Sequence, residues 1–276
     1  MGSIFRFVQW QLGIRILQHP VVYKWVAGSR FIVSKGEAGL TGNIYVGLVE
    51  FPDMAYLLHV LRKEDLFLDV GANAGSYTLL ACASIGSRGV AIEPLPETYS
   101  RLQDNINLNR IMGQVYTHNL AVGEFEGELL VTTDLDDMNH AVGSNEEVSG
   151  ALAVPTTTLN RLLANQTPTF MKIDVEGFER SVLNGATEIL EKQELHSVIM
   201  ELNGSGDRYG SDEGDILRMM ADYGFESFSY DPFRRELTSL NGKNLDQGNT
   251  IFIRDLELVK KRISSAEKFK ILGQYI

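Results

Sequence analysis

Residues 66–80, LFLDVGANAGSYTLL, are the most informative part of this chain about its fold. Residues 66–70 form a short apolar run of the kind that fills a buried parallel strand. Gly71 and Gly75 permit a tight turn, and residues 76–85 have the composition of a helix, which Gly86 would end. The order of strand, glycine turn and helix predicts a βα unit of an α/β protein.

The same alternation continues along the chain. Strands are predicted at 89–92, 114–118, 169–173 and 197–202, and helices at 96–109 and 177–191, with a short helix begun by Thr156-Thr157-Thr158 and another helix near 215–223. Alternating units of this kind predict a parallel sheet with helices on both faces. Residues 225–230 and 250–253 predict two strands without a helix between them, and therefore an antiparallel pair at one edge.

Two segments flank the predicted domain, which occupies residues 37–254. Residues 1–36 are predicted to form a helical arm of two short helices hinged at His19-Pro20, and residues 255–276 an amphipathic helix. Residues 122–150 are an insertion within the domain. Its first ten residues predict two short strands, and the acidic remainder predicts a mobile loop or lid.

The charge of the chain is unevenly distributed. Residues 1–36 contain five basic residues and no acidic one, so the other 240 residues carry −16 in a chain whose net charge is −11. This arm is too polar for a membrane span and lacks the pattern of a signal peptide. We expect it to pack on the domain or on a partner subunit. Peripheral contact with an anionic lipid surface or an acidic glycan is the alternative.

Composition excludes several classes of protein. The apolar fraction of 44% and the charged fraction of 22% are typical of globular proteins rather than disordered, collagenous or polytopic membrane proteins. The negative net charge argues against nucleic acid as a partner. Cys82 is the only cysteine, which excludes an internal disulfide and a cysteine-based zinc site. A reducing, cytoplasmic location is therefore expected.

Polar side chains end nearly every predicted strand, where open parallel sheets bind their ligands. These residues are Asp69, Glu93, Asn119, Asp174 and Glu201. Glu93 follows the glycine turn by about 20 residues, a spacing that suits a carboxylate binding both ribose hydroxyls. The turn itself is D-x-G-x-N-x-G instead of the G-x-G-x-x-G of dinucleotide sites. An acid before the turn repels a pyrophosphate but can hold an amino-acid group, which favours S-adenosylmethionine over NAD.

The motifs resemble the FkbM-type S-adenosylmethionine-dependent methyltransferases. They are DVGANAGSYTL at 69–79, IEP at 92–94, NLN at 107–109, NLAVG at 119–123, KIDVEGFE at 172–179 and LNGA at 183–186. The resemblance covers about residues 37–254. It implies a class I methyltransferase fold, which is Rossmann-like, with a seven-stranded, mostly parallel sheet and one antiparallel edge strand. It also implies methylation of a hydroxyl oxygen on a sugar, a polyketide or another small molecule.

The resemblance also assigns the cofactor contacts. The residues placed around the methionine part are Asp69, Gly71, Asn73 and Gly75, and Asp174 ends the strand beside the expected methyl position. Glu93 would bind the ribose, while Asn119 and the backbone of Leu120 would meet the adenine. Many class I enzymes have Asp where this chain has Asn119, but an amide can still accept a bond from the adenine amino group.

Asp174 is the first candidate for a general base, and Glu176 could orient the acceptor or the cofactor. Lys172 lies on the same side of the strand and could pair with Asp174. His140, in the predicted lid, is the second candidate base. Asp174, Glu201 and Asn203 occupy places where some catechol-type methyltransferases hold Mg²⁺. The resemblance does not call for a metal, so none is predicted.

Three functions remain open from the sequence. The leading hypothesis is an S-adenosylmethionine-dependent O-methyltransferase acting on a small molecule, sugar or glycan. The alternatives are a noncatalytic cofactor-sensing or partner module on the same fold, and an NAD-dependent oxidoreductase, which the missing G-x-G-x-x-G disfavours. Taken singly, the strand-end acids could also be helix caps.

Overall fold

The computed structural model describes residues 2–17, 19–34, 38–134, 138–143, 146 and 148–276. The helices are α1 (Gly2–Leu17), α2 (Ala38–Val46), α3 (Phe51–Val60), α4 (Ser76–Thr78, continued by a π-helical segment Leu79–Ile85), α5 (Pro96–Asn109), α6 (Leu159–Leu162), α7 (Glu179–Asn184), α8 (Thr187–Leu190), α9 (Glu213–Asp222) and α10 (Leu256–Ser265). The strands are β1 (Val21–Lys24), β2 (Arg30–Val33), β3 (Leu66–Val70), β4 (Arg88–Ile92), β5 (Val115–His118), β6 (Ala121–Val122), β7 (Gly127–Thr132), β8 (Ala151–Thr157), β9 (Phe170–Ile173), β10 (Ser197–Glu201), β11 (Glu226–Asp231), β12 (Glu236–Ser239), β13 (Asn249–Ile253), β14 (Lys270–Ile271) and β15 (Gln274–Tyr275). Single 3₁₀ turns lie at Val26–Gly28 and Ser205–Tyr209.

An eight-stranded sheet forms the centre, in the order β12-β11-β13-β10-β9-β3-β4-β5. The five strands β10, β9, β3, β4 and β5 are parallel to one another, whereas β13 runs antiparallel to both β10 and β11. The predicted α/β class with a Rossmann-like, mostly parallel sheet is therefore confirmed. Because five parallel strands end at one edge, they bring the motifs at their carboxyl ends together.

The predicted strand number and edge are corrected. The sheet has eight strands instead of seven, because β12 pairs with β11 beyond the predicted antiparallel pair. The antiparallel strand β13 is internal, because it lies between β10 and β11, and β12 is the edge strand. Its sequence, ELTS, is mostly exposed and has no apolar alternation. An edge strand that buries neither face leaves no periodic signal, which explains why the sequence did not predict it.

The sheet separates two apolar cores. Phe67 of β3 and Phe170 of β9 pack with helix α3 and the β1–β2 hairpin on one face. Leu68 and Met171, the next residues along the same strands, pack on the opposite face with helices α7 to α9. Successive side chains of a strand point to opposite faces, so continuous apolar runs are needed to fill both cores.

The predicted terminal segments are also corrected. Residues 21–33 form the β1–β2 hairpin instead of a second helix, because their β-branched and aromatic residues favour a strand. At the other end, helix α10 stops at Ser265, and the β14–β15 hairpin follows, with Gly273 in the left-handed region at φ +95°. The predicted helix 177–191 is divided into α7 and α8 at Gly185, where a Cβ would lie 1.9 Å from the carbonyl oxygen of Gly123.

The basic arm has two parts with different surroundings. The β1–β2 hairpin belongs to the core, where Phe31 and Val33 are fully buried. Helix α1 is fastened by Arg6, whose Nε and Nη2 donate to the Tyr45 carbonyl oxygen at 2.8 and 2.6 Å. The other surface of α1 exposes large apolar side chains: Ile4 by 69%, Phe5 by 70%, Leu12 by 56% and Ile16 by 79%. No helix in the described part of the chain is long and apolar enough to cross a membrane.

The predicted contact of residues 1–36 with a subunit or an anionic membrane is best tested on this exposed surface. We expect Phe5→Ser/Ile16→Ser to weaken that contact without disturbing the fold, because both side chains are exposed. Flotation with phosphatidylglycerol vesicles measures the membrane contact, and light scattering measures the subunit contact. The same double variant behaving like wild type in both measurements would contradict both predictions. Deleting all 36 residues is a poorer test, because it removes Phe31 and Val33 from the core.

Residues 121–157 contribute a three-stranded sheet, β6-β8-β7, beside the carboxyl ends of the central strands. The sequence predicted two short strands here but not β8, which begins where the acidic loop ends. Of the predicted lid, residues 135–137, 144–145 and 147 lie outside the described part. The described part is attached to the sheet, because Val142 N donates to the Leu130 oxygen and Thr132 N to the His140 oxygen, at 2.8 and 2.9 Å.

Candidate active site

The glycine turn after β3 lies against the residue that follows β9. Gly71 adopts φ +78°, and a Cβ there would lie 1.8 Å from the carbonyl oxygen of Asp174. Asn73 and Gly75 are also left-handed, at φ 49° and 95°. The Asn73 side chain supports this shape by accepting a bond from Ala74 N at 2.6 Å. Only glycine at position 71 allows the turn and the end of β9 to form one continuous wall.

Glu93 connects the turn to the end of β4. Its Oε2 accepts a bond from Asn73 N and its Oε1 from Leu95 N, both at 3.0 Å. The side chain is buried, and burial raises the pKa of Glu93 to about 7, although these two backbone donors oppose the rise. The carboxyl group is therefore held in one orientation at the floor of a cleft, where its remaining lone pairs can accept hydroxyl donors.

Glu93→Gln is expected to weaken binding of S-adenosylhomocysteine roughly tenfold to a hundredfold, the contribution of hydrogen bonds to a charged acceptor. In the wild type, affinity should fall as the pH is lowered through about 7, because protonation removes the charge of Glu93. The variant has no carboxyl group at this position and should show a shallower pH dependence. Calorimetric titrations between pH 6 and 8, a range centred on the Glu93 pKa of about 7, measure both effects. Parallel pH profiles for the two proteins would contradict this role.

Asp69 lies behind the turn. It is only 2% exposed, and its Oδ2 accepts a bond from Thr78 Oγ1 at 2.5 Å. Burial raises the pKa of Asp69 to about 6, against the lowering effect of the Thr78 hydrogen bond. Asp69 thereby ties the end of β3 to helix α4. Gly75 makes a similar packing contribution, because a Cβ there would lie 2.6 Å from Leu102 Cδ1.

The two residues assigned to the adenine are placed differently. Leu120 lines the cleft beside Glu93. Asn119 is exposed, and its Nδ2 donates to the carbonyl oxygens of Glu93 and Pro94, both at 2.9 Å. The Asn119 amide thus braces the end of β4, and its role towards the adenine stays a prediction.

A buried lysine of β9 contacts β13, which lies two strands away in the sheet. Lys172 is 1% exposed, and its Nζ donates to Asp174 Oδ2 at 3.0 Å and to Asn249 Oδ1 at 3.1 Å. Although burial alone would lower the pKa of Lys172, the carboxylates of Asp174 and Glu50 hold it above its ordinary value. The expected pairing of Lys172 with Asp174 is present. It fixes the Asp174 carboxylate while leaving its side chain 31% exposed.

Three acids converge at the ends of β9 and β10. Asp174, Glu176 and Glu201 each offer an oxygen, and these oxygens lie within 4.8 Å of one another. Burial and the carboxylates of Asp174 and Glu176 raise the pKa of Glu201 to about 9, so it is protonated at neutral pH. A divalent cation could be held here, in competition with the nearby Lys172 ammonium. Asn203 has a different task, because its Oδ1 accepts a bond from Ser205 N at 2.9 Å.

His140 is buried and lines the same cleft as Glu93. Its Nε2 lies 2.8 Å from Glu146 Oε1, and its Nδ1 lies 3.0 Å from the carbonyl oxygen of Met138. Both ring nitrogens are therefore engaged within the insertion. Arg208, whose Nε is 3.7 Å from Glu146 Oε2, extends this contact to the 3₁₀ turn after β10. These contacts hold the His140 ring within the predicted lid. Its role as a second base stays a prediction.

Two clefts meet at the shared wall formed by Gly71, Asn73, Asp174 and Glu176. The first, of about 770 Å³ including space open to solvent, contains Glu93, Leu120 and His140. The second, of about 880 Å³ on the same measure, contains Glu50, Tyr77 and Glu201. A ligand that passes over the shared wall would place one end in each cleft, with its middle beside Asp174.

Glu50 and Tyr77 line the candidate site but were not predicted from the sequence. The Tyr77 hydroxyl donates to Glu50 Oε2, and both side chains line the second cleft. Glu50 precedes helix α3, far along the chain from the motifs, and no local pattern marks it. Tyr77 belongs to the quoted glycine-turn motif, so its presence there was the one available signal.

Comparison with known proteins places this site in a family. Residues 69–227, more than half of the chain, match the model of the methyltransferase FkbM domain. The chain belongs to the FkbM methyltransferase family. The match begins at Asp69 and contains Glu93 and Asp174, so it includes the wall shared by the two clefts and most of the parallel strands.

Curated relatives of this FkbM-family chain include two proteins named as methyltransferases. Hexuronic acid methyltransferase AglP of Haloferax volcanii is 27% identical over 171 residues, which cover 60% of this chain and 65% of that protein. Methyltransferase 1 of Beauveria bassiana is 25% identical over 159 residues, which cover 49% and 64%. The chain thus spans less than two thirds of the length of these relatives. Among solved structures, precorrin-6y C5,15-methyltransferase of Geobacter metallireducens aligns with a TM-score of 0.43 and 11% identity, covering 81% of this chain and 92% of that one.

Proposed function

We propose that this protein is an S-adenosylmethionine-dependent methyltransferase that methylates a hydroxyl oxygen of a small molecule, sugar or glycan. The observation that carries the proposal is the position of Asp174 on the wall between two clefts, within the fold of the FkbM family. Relatives named as methyltransferases, one of them for hexuronic acid, support the same class of reaction and a sugar-like acceptor.

The residues present fit the proposed cofactor. Glu93, held at the floor of the first cleft, suits two ribose hydroxyls, and the apolar Leu120 suits an adenine face. The turn from Gly71 to Gly75 leaves backbone accessible for the methionine part, which would cross the shared wall. When bound, the cofactor supplies a methyl group activated by its sulfonium centre, so the protein's main contribution is alignment.

Asp174 is the residue best placed to accept the proton of the acceptor hydroxyl. Its carboxylate is partly exposed on the shared wall and is fixed by Lys172 at 3.0 Å. Glu176 and the protonated Glu201 lie within reach of the same region and could orient the acceptor.

Two measurements on the full chain test the proposal. Isothermal titration should show binding of S-adenosylmethionine and S-adenosylhomocysteine, and mass spectrometry of products made with labelled cofactor in extract of the source cell should show a methylated hydroxyl. Absence of binding would contradict the cofactor assignment. Binding without any labelled product would favour the noncatalytic module instead.

A further inference from the structure

The second cleft is strongly acidic. The ionisable side chains that line it include Glu50, Asp69, Asp174, Glu176 and Glu201, whereas Lys172 is the only basic residue among the described residues of its wall. Even with Glu201 protonated, four carboxyl groups face one ammonium group. A cofactor with a sulfonium, an amino group and a carboxylate adds one net positive charge, so the cleft stays negative when the cofactor is bound.

The charge of Lys172 does not offset this excess for a ligand. Its ammonium is fully buried and is bonded to Asp174 and Asn249. The carboxylates, in contrast, include partly exposed ones such as Glu50 and Asp174. An incoming group therefore meets hydrogen-bond acceptors with negative charge, and the only positive charge is already satisfied behind them.

Glu50 lines the second cleft together with residues of the glycine-turn motif. It precedes helix α3 and is held by the Tyr77 hydroxyl, which donates to its Oε2. It also lies outside residues 69–227, the segment that matches the family model. Glu50 therefore adds a carboxylate to this cleft that the matched segment does not supply.

We propose that this cleft selects an acceptor that presents hydroxyl or amine donors and no acidic group next to the methylated hydroxyl, and that Glu50 enforces the selection. Ionised carboxylates only accept hydrogen bonds, so they favour a ligand that presents such donors. They repel a carboxylate of the ligand in the same low-dielectric space. The inference separates this chain from the relative named for a hexuronic acid. It rests on the proposed function, because it takes as the acceptor site the part of the second cleft that the methionine end of the cofactor leaves open.

Three matched probes test the proposal on the full chain loaded with S-adenosylhomocysteine. Methyl glucoside, methyl glucosaminide and methyl glucuronide share one ring and differ in a hydroxymethyl, amine or carboxylate group. Saturation-transfer NMR measures their dissociation constants. We expect the glucoside and the glucosaminide to bind at least about tenfold more tightly than the glucuronide, a modest effect for like charges in a partly desolvated cleft.

Variants at Glu50 assign the selection to this residue. Glu50→Gln keeps an acceptor for the Tyr77 hydroxyl but removes the charge, so it should strengthen glucuronide binding and narrow the difference to about threefold or less. Glu50→Asp keeps the charge and should preserve the selection, even where its affinities fall. Glu188→Gln makes the same chemical change at an exposed position of helix α8 and should leave all three dissociation constants unchanged.

The proposal is overturned if the glucuronide binds as tightly as the other probes, if Glu50→Gln leaves the order unchanged, or if no probe binds at millimolar concentration. Titration of S-adenosylhomocysteine on the same samples separates this failure from failure of the proposed function. Retained cofactor binding with the wrong order of probes rejects only the acidic selection. Loss of cofactor binding in the wild type rejects the methyltransferase assignment itself.

Discussion

Replacing Asp174 by asparagine is expected to slow methyl transfer by about 10²- to 10⁴-fold, the range that a positioned general base contributes. Asparagine retains an oxygen that can accept the bond from Lys172 Nζ, which lies 3.0 Å from Asp174 Oδ2. It cannot take up the proton of an acceptor hydroxyl. Affinity for S-adenosylhomocysteine should therefore change by only about threefold, since the variant preserves the shape of the shared wall.

The rate is measured as transfer of labelled methyl to the product found by mass spectrometry, and cofactor affinity by calorimetry. Glu188→Gln serves as the control for loss of one surface carboxylate and should leave the rate unchanged, because Glu188 is exposed on helix α8. A decrease below about tenfold would reject Asp174 as the base and would make alignment alone sufficient for this acceptor.

Gly71→Ala is expected to cause the largest loss of stability of any change near the site. The added Cβ would lie 1.8 Å from the Asp174 carbonyl oxygen, a backbone atom that cannot rotate away, and the residue would keep φ +78°. Steric strain and the forced separation of two strand ends should together lower the free energy of unfolding by about 3 kcal/mol or more. The melting temperature should fall by about 5 to 10 °C.

The same change should weaken binding of S-adenosylhomocysteine at least about tenfold, because moving the turn displaces the wall between the two clefts. Gly113→Ala is the matched control. Gly113 lies in an exposed turn, and nothing lies within 4 Å of the position that its Cβ would take. Thermal unfolding measures the stability of both variants, and calorimetry measures their affinity for S-adenosylhomocysteine. Equal stability of the two variants would show that the turn can move away from β9 without cost.

The parallel strands were predictable because their signal is local. Residues 66–70 and 170–173 are apolar except for Asp69 and Lys172, since each strand fills cores on both faces of the sheet. Strand β12 lacked such a signal, because its exposed edge places no demand on the apolar pattern. The hairpin of residues 21–33 was predicted as a helix; its β-branched and aromatic residues favour a strand, and the structure adds its pairing and the burial of Phe31 in the core.

Part of the candidate site was equally local. The pairing of Lys172 with Asp174 follows from the alternation of side chains along one strand, and the left-handed turn at Gly71 follows from glycine itself. The bonding of His140 could not be derived in this way. Its two partners, Met138 and Glu146, are close in sequence, yet the insertion that joins them carries no periodic pattern.

Local sequence patterns were sufficient to predict the α/β class, the family and the strand-end residues, because glycine turns and buried strands constrain residues that are neighbours along the chain. The tertiary structure was needed to bring Glu50 into the same cleft as Asp174 and Glu201, where the buried Lys172 is the only basic residue of the described lining. Contacts between residues more than 100 positions apart depend on how helices pack on the sheet, and packing is a property of the whole fold. The charge that an acceptor meets is set by those distant contacts.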